Sequence, residues 1–131
     1  MEIIRVVPSF VDGRGRIIDL LENESFNAVT IVTFKTGAVR GNHYHKLTFQ
    51  WNYVMSGVIR LVTQKVGQQI VETIMRLGDF VLTEPNERHA FMAIEDSALI
   101  VFTRGPRGGK EYESDTYRLE IPLVEDVGAG A

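Results

Sequence analysis

The hydrophobic residues of this chain fall in short runs, and most of these runs alternate with polar residues. In residues 58–64, for example, one side of the run is largely apolar and the other is mixed, as in a half-buried β-strand. No stretch of convincing length repeats its apolar positions with the 3.6-residue period of a helix. Predicted strands lie near residues 3–7, 15–22, 28–34, 40–45, 50–55, 58–64, 68–75, 79–82, 88–93, 97–103 and 116–121. Many short strands separated by turns predict an all-β sandwich or barrel.

Residues typical of turns separate these runs and support the predicted strand boundaries. Ser56-Gly57 is the most informative pair, because it stands between two strand-like runs and glycine can supply the positive φ of a tight hairpin. The chain has 131 residues, 44% of them hydrophobic, which is enough to bury a core within a single domain. We expect one domain over residues 1–131, with a C-terminal strand segment at 111–122 and a frayed tail at 127–131.

Composition and charge narrow the classes of function. The formal net charge of −3 gives no general reason to expect a nucleic-acid partner. The absence of cysteine excludes disulfides, thiolate metal ligands and a cysteine nucleophile. The N-terminal residues do not resemble a secretion signal, and the longest aliphatic runs, such as 98–102, are too short to span a bilayer. We therefore expect a cytoplasmic protein without a membrane partner.

Two of the three histidines, His43 and His45, stand one residue apart in a predicted strand. Side chains two residues apart on a strand point to the same face, so these imidazoles should project together. Gln50 begins the next predicted strand, and the third histidine, His89, enters another strand just after a turn. Three histidines with one oxygen donor suit a divalent first-row metal. A histidine on a strand is more often a satisfied polar residue, so the pattern alone leaves both interpretations open.

The spacing around the histidines resembles the first motif of the cupin superfamily. The matching positions of that motif are Gly37, His43, His45 and Gly57. Gln50 stands where the family usually has glutamate. The second cupin motif is degraded, and its matching positions are Gly78, Pro85 and His89. Residues 86–87 are asparagine and glutamate where the family has a glycine, and Ala93 takes the place of an asparagine. The resemblance extends over about residues 15–103.

The resemblance implies a single antiparallel jelly-roll barrel, with its core at about residues 15–103 and the ligands pointing into the barrel mouth. The implied metal ligands are His43, His45, Gln50 and His89. Because an amide oxygen carries no charge, Gln50 would leave the ion its full positive charge, which weakens binding and strengthens Lewis acidity. Zinc, nickel, iron, copper and manganese all suit such ligands, and no organic cofactor is expected. Alternatively, the glutamine indicates that the metal has been lost.

The same stretch also resembles the sugar-nucleotide 3,4-ketoisomerases, cupin-fold enzymes related in shape to the dTDP-4-dehydrorhamnose 3,5-epimerases. The likeness lies in RGNHYHK at residues 40–46 together with Gln50, and in YESDTYR at residues 112–118. In those enzymes paired histidines move a proton on the sugar through an enediol, without a metal. This resemblance implies that His43 and His45 transfer protons and that Arg40 binds phosphate or stabilises an enolate. His89 fits the metal-binding pattern instead, so the chain combines both signatures.

Further candidate contacts lie beside and beyond the histidine motif. The candidate substrate-binding residues are Arg40, Asn52 and Arg104. Arg104 opens a basic, glycine-rich loop in which Arg107 and Lys110 could also hold phosphate, although such a sequence is more often a solvated surface loop. Three aromatic residues fall on the face opposite Gln50, where core or dimer packing is expected, namely Phe49, Trp51 and Tyr53. We interpret Arg118 as a structural residue of the last strand.

These features predict a metal-binding cupin that isomerises or epimerises a carbohydrate or sugar nucleotide, with a role in polysaccharide biosynthesis. One alternative is a metal-dependent dioxygenase or lyase of a small enolisable acid. Another is a cupin that binds a small ligand without turnover. The expected partners are a small-molecule substrate and a second copy of the chain, because cupins commonly dimerise by pairing sheets. An edge strand at residues 3–7 is the candidate for addition to, or exchange with, that copy.

Overall fold

The computed structural model describes residues 3–106 and 111–126, which form two five-stranded sheets and a small hairpin. The described strands are β1 (Ile4–Arg5), β2 (Phe10–Asp12), β3 (Gly15–Ile17), β4 (Ala28–Phe34), β5 (Val39–Tyr44), β6 (Phe49–Ser56), β7 (Val58–Gln64), β8 (Val71–Arg76), β9 (Asp79–Thr83), β10 (Arg88–Ala93), β11 (Ser97–Arg104) and β12 (Tyr117–Arg118), and α1 (Glu111–Ser114) is a short helix. The prediction of an all-β protein is therefore confirmed. In this part of the chain no helix is long and apolar enough to cross a bilayer.

The two large sheets face each other as a jelly roll. The first sheet has the strand order β1-β9-β6-β11-β4, and the second has the order β12-β5-β10-β7-β8. All strand pairs are antiparallel, and most connections between β4 and β11 cross from one sheet to the other. This double-sheet arrangement is the architecture that the cupin resemblance implied.

The hydrophobic core lies between the two sheets and follows from the alternation along each strand. In β11, Leu99 and Val101 are buried, whereas their neighbours Ala98, Ile100 and Phe102 are only half buried. Leu99 packs in one cluster with Val54 of the same sheet and with Leu61 and Phe91 of the opposite sheet. Burying an aliphatic or aromatic side chain of this size contributes about 1.5–3 kcal/mol, so this cluster is a main source of stability.

The corner at Ser56-Gly57 differs from its prediction. β6 pairs with β9 and β11, while β7 pairs with β8 and β10, so the predicted tight hairpin between β6 and β7 is wrong. The chain instead turns from the first sheet to the second. The positive φ expected for Gly57 is confirmed at 85°, and a Cβ at this position would collide with Ser97. A sequence pattern identifies such a turn but not whether its two strands pair.

The terminal elements are shorter than predicted. The strand expected at residues 3–7 is only Ile4–Arg5, and it pairs with β9 of its own chain. The strand expected at 15–22 ends at Ile17, because its partner β2 has only three residues. Within the C-terminal segment 111–122, the structure has the helical turn α1 and the two-residue strand β12 rather than one continuous strand. The expected frayed tail, 127–131, lies outside the described residues.

Candidate functional site

The three histidines meet on the inner face of the second sheet. His43 on β5 stands directly opposite His89 on β10, and His45 follows one residue after the end of β5. Their ring centroids lie 4.7–5.4 Å apart, and one ring nitrogen from each lies within 4.8 Å of the others. All three side chains are buried. We call these three residues the histidine cluster.

A β-bulge sets the alignment of the histidine cluster. His89 pairs with His43, but Ala90 pairs with Gly41, so Asn42 is an extra residue on β5. Such a bulge bends the strand and re-aims the side chains beside it. Gly41 has a φ of 96°, and a Cβ there would lie 2.8 Å from the carbonyl oxygen of His89. Asn42 also has positive φ, which asparagine tolerates better than most residues.

Backbone carbonyls fix the tautomers of two histidines. The Nδ1–H of His45 donates to the carbonyl oxygen of Asp115 at 2.9 Å. The Nδ1–H of His89 donates to the carbonyl oxygen of Glu87 at 3.2 Å. A carbonyl oxygen can only accept, so Nδ1 must carry the proton in both rings while they are neutral. Nε2 is therefore the nitrogen with the lone pair that can bind a metal or accept a proton.

Burial keeps His43 and His89 uncharged at neutral pH. Loss of water around His43 lowers its pKa to about 4, and repulsion from His45 and Arg118 adds to the effect. The pKa of His89 falls to about 3, mainly because the ring is buried and also because His43 and His45 lie close to it. A neutral imidazole is the form that coordinates metals and accepts protons. Both kinds of chemistry are therefore available at this site.

A pocket of about 540 Å³ opens beside the cluster, between the two sheets. Polar residues on its wall include His43, His89, Arg40, Gln50, Asn52, Thr116, Arg118 and Asp126. Apolar residues on its wall include Val32, Phe34, Phe91, Leu99 and Val101. A concave site with an apolar floor and a few converging polar groups is the usual form of a small-molecule site.

The predicted amide residues both lie on this pocket. Gln50 lines it, and its Nε2 points to the hydroxyl of Thr103 at 3.5 Å. Asn52 is buried, and its amide donates to the carbonyl oxygens of Gln50 at 3.1 Å and Val81 at 3.2 Å. Asn52 therefore ties β6 to β9 with its NH₂ group and keeps only its carbonyl oxygen for other contacts.

Two arginines flank the pocket, and the sequence identified only one of them as functional. Arg40 lines the wall, and its Nη2 donates to the carbonyl oxygen of Thr33 at 2.9 Å. Arg118 also lines the wall, because β12 pairs with β5 and brings it opposite His43. Its place in the YESDTYR segment was the available signal, but a strand of two residues leaves too little pattern to show which face it takes.

Arg104 lies away from this pocket. Thr103 faces inward beside Gln50, so its neighbour Arg104 projects from the outer face of the first sheet. Its guanidinium lies 4.4 Å from the ring centroid of Phe49 and forms an ion pair with Glu24 at 3.4 Å. The structure therefore does not bring Arg104 to the histidine cluster. Arg107 and Lys110, the other cations of that loop, lie outside the described residues.

Comparison with known proteins relates the chain to one domain family. A family model described as "Cupin domain" matches residues 30–103, which is more than half of the chain. A search of curated proteins finds no match.

Solved structures resemble most of the chain. A dTDP-4-dehydrorhamnose 3,5-epimerase from Sulfolobus tokodaii superimposes with a TM-score of 0.72 at 18% identity, covering 95% of this chain and 81% of the epimerase. A TDP-quinovose 3,4-ketoisomerase from Campylobacter jejuni gives a TM-score of 0.75 at 18% identity, covering 89% and 91%. The capsular polysaccharide assembling protein CapF from Staphylococcus aureus gives 0.65 at 21%, covering 88% of this chain and 33% of CapF. At these identities the likeness establishes the fold.

Proposed function

The chain belongs to the cupin family, and on this premise we propose that it is an isomerase or epimerase of a carbohydrate, with a sugar nucleotide as the substrate class. The observation that carries the proposal is the buried histidine cluster, of which His43 and His89 lie on the wall of a pocket that two arginines flank. The structural neighbours described as a dTDP-sugar epimerase and a TDP-sugar ketoisomerase support this substrate class.

The proposed reaction is a proton shift beside a carbonyl. A neutral imidazole removes a proton from the carbon next to the carbonyl carbon. The C–H electron pair becomes the C=C bond of an enediolate, and the carbonyl oxygen takes up the negative charge. The keto group moves when the hydroxyl of the first carbon gives its proton to the enolate oxygen and the former carbonyl carbon takes up the proton that the imidazole removed. Return of that proton to the opposite face of the first carbon instead inverts that centre. His43 and His45 are the proposed proton-transfer groups, because they occupy the positions of the paired histidines in the ketoisomerase resemblance, and their ring centroids lie 4.8 Å apart.

The arginines supply the positive charge that such a substrate requires. A guanidinium stays charged at every physiological pH and can bind a phosphate or an enolate oxygen through two N–H groups. Arg40 and Arg118 both line the pocket, on neighbouring strands of the second sheet. We assign them to the diphosphate or to the enolate oxygen of the substrate. Asn52 contributes at most its carbonyl oxygen, since its NH₂ group bonds to the backbone.

A divalent transition metal is a second candidate for the same site. His43, His45 and His89 each offer a ring nitrogen within 4.8 Å of the others, and two of them donate Nδ1–H to backbone carbonyls. Metal-binding histidines commonly have such a partner on the second nitrogen. These residues fit a metal, with Gln50 as the proposed fourth ligand, and a bound ion would polarise a substrate oxygen. A metal-dependent dioxygenase or lyase is the alternative function that this observation favours.

A homodimer is part of the proposal, formed through the outer face of the first sheet. Two rows of apolar residues cross β4, β11, β6 and β9 in register, namely Val29, Phe102, Trp51 and Leu82 in one row and Ile31, Ile100, Tyr53 and Phe80 in the other. Val29 and Ile31 are 56% and 64% exposed in the single chain. Trp51 and Phe80 are already buried in the single chain, so a second copy would mainly cover the exposed residues of β4 beside them.

The wider biological setting also remains a proposal. Likeness to a capsular polysaccharide assembling protein supports a role in polysaccharide biosynthesis. The cytoplasmic location expected from the sequence stays a prediction, which fractionation of the native host would check.

Product analysis tests the proposed function. The purified, tag-free protein would be incubated with a dTDP-linked 4-keto-6-deoxy sugar, with and without a chelator, and the sugar followed by proton NMR. We expect a new keto isomer or epimer in both samples. Arg40→Gln should slow the conversion, and Arg60→Gln, a change at a half-buried arginine of β7 that pairs with Glu72, serves as the matched control. Conversion that requires a stoichiometric bound metal would favour the metal-dependent alternative. Absence of any conversion or binding of dTDP-sugars would refute the proposal.

A further inference from the structure

Asp115 forms a clamp on the turn that follows His45. Its carboxylate accepts hydrogen bonds from the backbone N–H of Lys46 and of Leu47, both at 3.0 Å, and from the hydroxyl of Thr48 at 2.6 Å. Asp115 is buried, so these bonds are protected from competition with water. Because its carboxylate accepts three hydrogen bonds, Asp115 fixes the position of its own backbone relative to the turn at residues 46–48.

The backbone of the same residue contacts the histidine ring. The carbonyl oxygen of Asp115 accepts the Nδ1–H of His45 at 2.9 Å, so the side chain and the main chain of one residue act on neighbouring atoms. On the other side, the carbonyl oxygen of His45 accepts a hydrogen bond from the backbone N–H of Asn86. His45 is thereby held between the C-terminal segment and the turn before β10.

We propose that Asp115 is a positioning residue, which fixes the orientation and the Nδ1–H tautomer of His45 and so directs the Nε2 lone pair to the site. Asp115 is 70 residues away from His45 along the chain, so the sequence around His45 does not reveal the residue that positions its ring. The functional consequence rests on the proposed role of His45 as a proton-transfer group or ligand. The tautomer itself follows from the geometry alone.

The C-terminal segment that carries Asp115 is fastened at a second point. The side-chain oxygen of Asn42 accepts the backbone N–H of Leu123 at 2.8 Å and of Val124 at 3.1 Å, and its amide donates to the carbonyl oxygen of Val124 at 2.8 Å. Val124 is itself buried against Val62 and Ala90. The segment from Asp115 to Val124 is therefore a fixed wall of the pocket, which gives the Asp115 carbonyl a defined position.

The tautomer can be measured without any substrate. Long-range proton–nitrogen NMR of the full-length, ¹⁵N-labelled protein distinguishes a protonated ring nitrogen from one with a free lone pair. In the wild-type protein we expect a single His45 tautomer with Nδ1 protonated. In Asp115→Ala, which removes the clamp, we expect a mixture of tautomers or averaged nitrogen signals. Glu120→Ala is the matched control, since Glu120 is an exposed acidic residue of the same segment.

Two milder variants keep the test decisive if Asp115→Ala does not fold. Thr48→Val removes the hydroxyl donor at nearly constant volume, and Thr48→Ser restores it. We expect Thr48→Val to shift His45 towards the mixed signals and Thr48→Ser to return the wild-type spectrum. Where turnover of a dTDP-linked keto sugar is measurable, Asp115→Ala should lower kcat by about 10- to 100-fold with little change in KM, the usual effect of losing a partner behind an active histidine.

Two results would overturn the proposal. One is a wild-type His45 that is protonated at Nε2. The other is a folded Asp115→Ala, or a folded Thr48→Val if Asp115→Ala does not fold, in which His45 keeps the wild-type tautomer. Because the spectra need no substrate, a failure of the proposed enzymatic function would leave the His45 tautomer in place and could be told apart from a failure of the positioning role.

Discussion

Acidification should destabilise this protein through two of the buried histidines, His43 and His89. The pKa of His43 is lowered from 6.5 to about 4 and that of His89 from 6.5 to about 3, chiefly because both rings are buried. Between these values and 6.5 the unfolded chain binds more protons than the folded one. Stability is therefore constant above about pH 7 and falls as the pH drops through this window.

The expected loss can be worked out from the two shifts. Each histidine that protonates only on unfolding contributes a slope of about 1.4 kcal/mol per pH unit. From pH 6.5 down to about pH 5 each ring therefore costs about 2 kcal/mol, and both together cost about 4 kcal/mol. That is a large part of the 5–15 kcal/mol that is typical of a folded domain. Burial raises the pKa of Glu87, so this residue adds stability as the pH falls, but it is present in every variant compared.

Urea unfolding at a series of pH values measures this effect. The free energy of unfolding would be determined between about pH 7.5 and about pH 5 for chelator-treated wild-type protein and for His89→Asn, which cannot titrate in this range. We expect His89→Asn to be less stable at neutral pH but to lose only about half as much stability on acidification. A flat wild-type profile, or an equal slope in both proteins, would refute the assignment of neutral, buried imidazoles.

Three further predictions concern the bulge, the metal and the dimer. Gly41→Ala would place a Cβ 2.8 Å from the carbonyl oxygen of His89 at a φ of 96°. We expect it to lower the free energy of unfolding by about 2 kcal/mol or more, measured by thermal unfolding. Gly67→Ala, which also has positive φ but open space around it, should lower this free energy by about half as much. Gln50→Glu should raise metal affinity in a titration with zinc, because a carboxylate adds a negative charge, and equal affinities would exclude residue 50 as a ligand. Ile31→Glu should convert the dimer into monomers in sedimentation velocity, and an unchanged dimer would show that copies pair through another surface.

The sequence predicted the elements that depend on local pattern. The strand at 97–103 was predicted from seven consecutive residues, and the structure has a strand there, in which Leu99 and Val101 are buried. The pairing of strands was not accessible in this way, since β6 and β7 are adjacent in the chain but belong to different sheets. A glycine such as Gly57 indicates a positive φ at a turn, but turns with that φ occur in many sheet arrangements, so the angle does not show which strands pair.

The candidate site divides in the same way. His43, His45 and His89 were predicted as a group because their spacing matches a known motif, and the structure places their rings together. The contacts that hold the rings were not predicted, because Asp115 reaches His45 across 70 residues of sequence. Arg104 was expected near the substrate on the strength of its charge alone. Its position on the outer face follows from the alternation of side chains along β11, and the charge of a residue does not show which face of a strand it takes.

Solvent exchange is the most direct test of the central claim, that the histidine cluster transfers protons on a keto sugar. The protein would be incubated in D₂O with a dTDP-linked 4-keto-6-deoxy sugar, and deuterium at the carbons beside the carbonyl would be followed by NMR. We expect the wild-type protein and Arg60→Gln to incorporate deuterium, and His43→Asn and His45→Asn to lose at least about 100-fold in rate. Incorporation at the wild-type rate in both histidine variants would contradict the account.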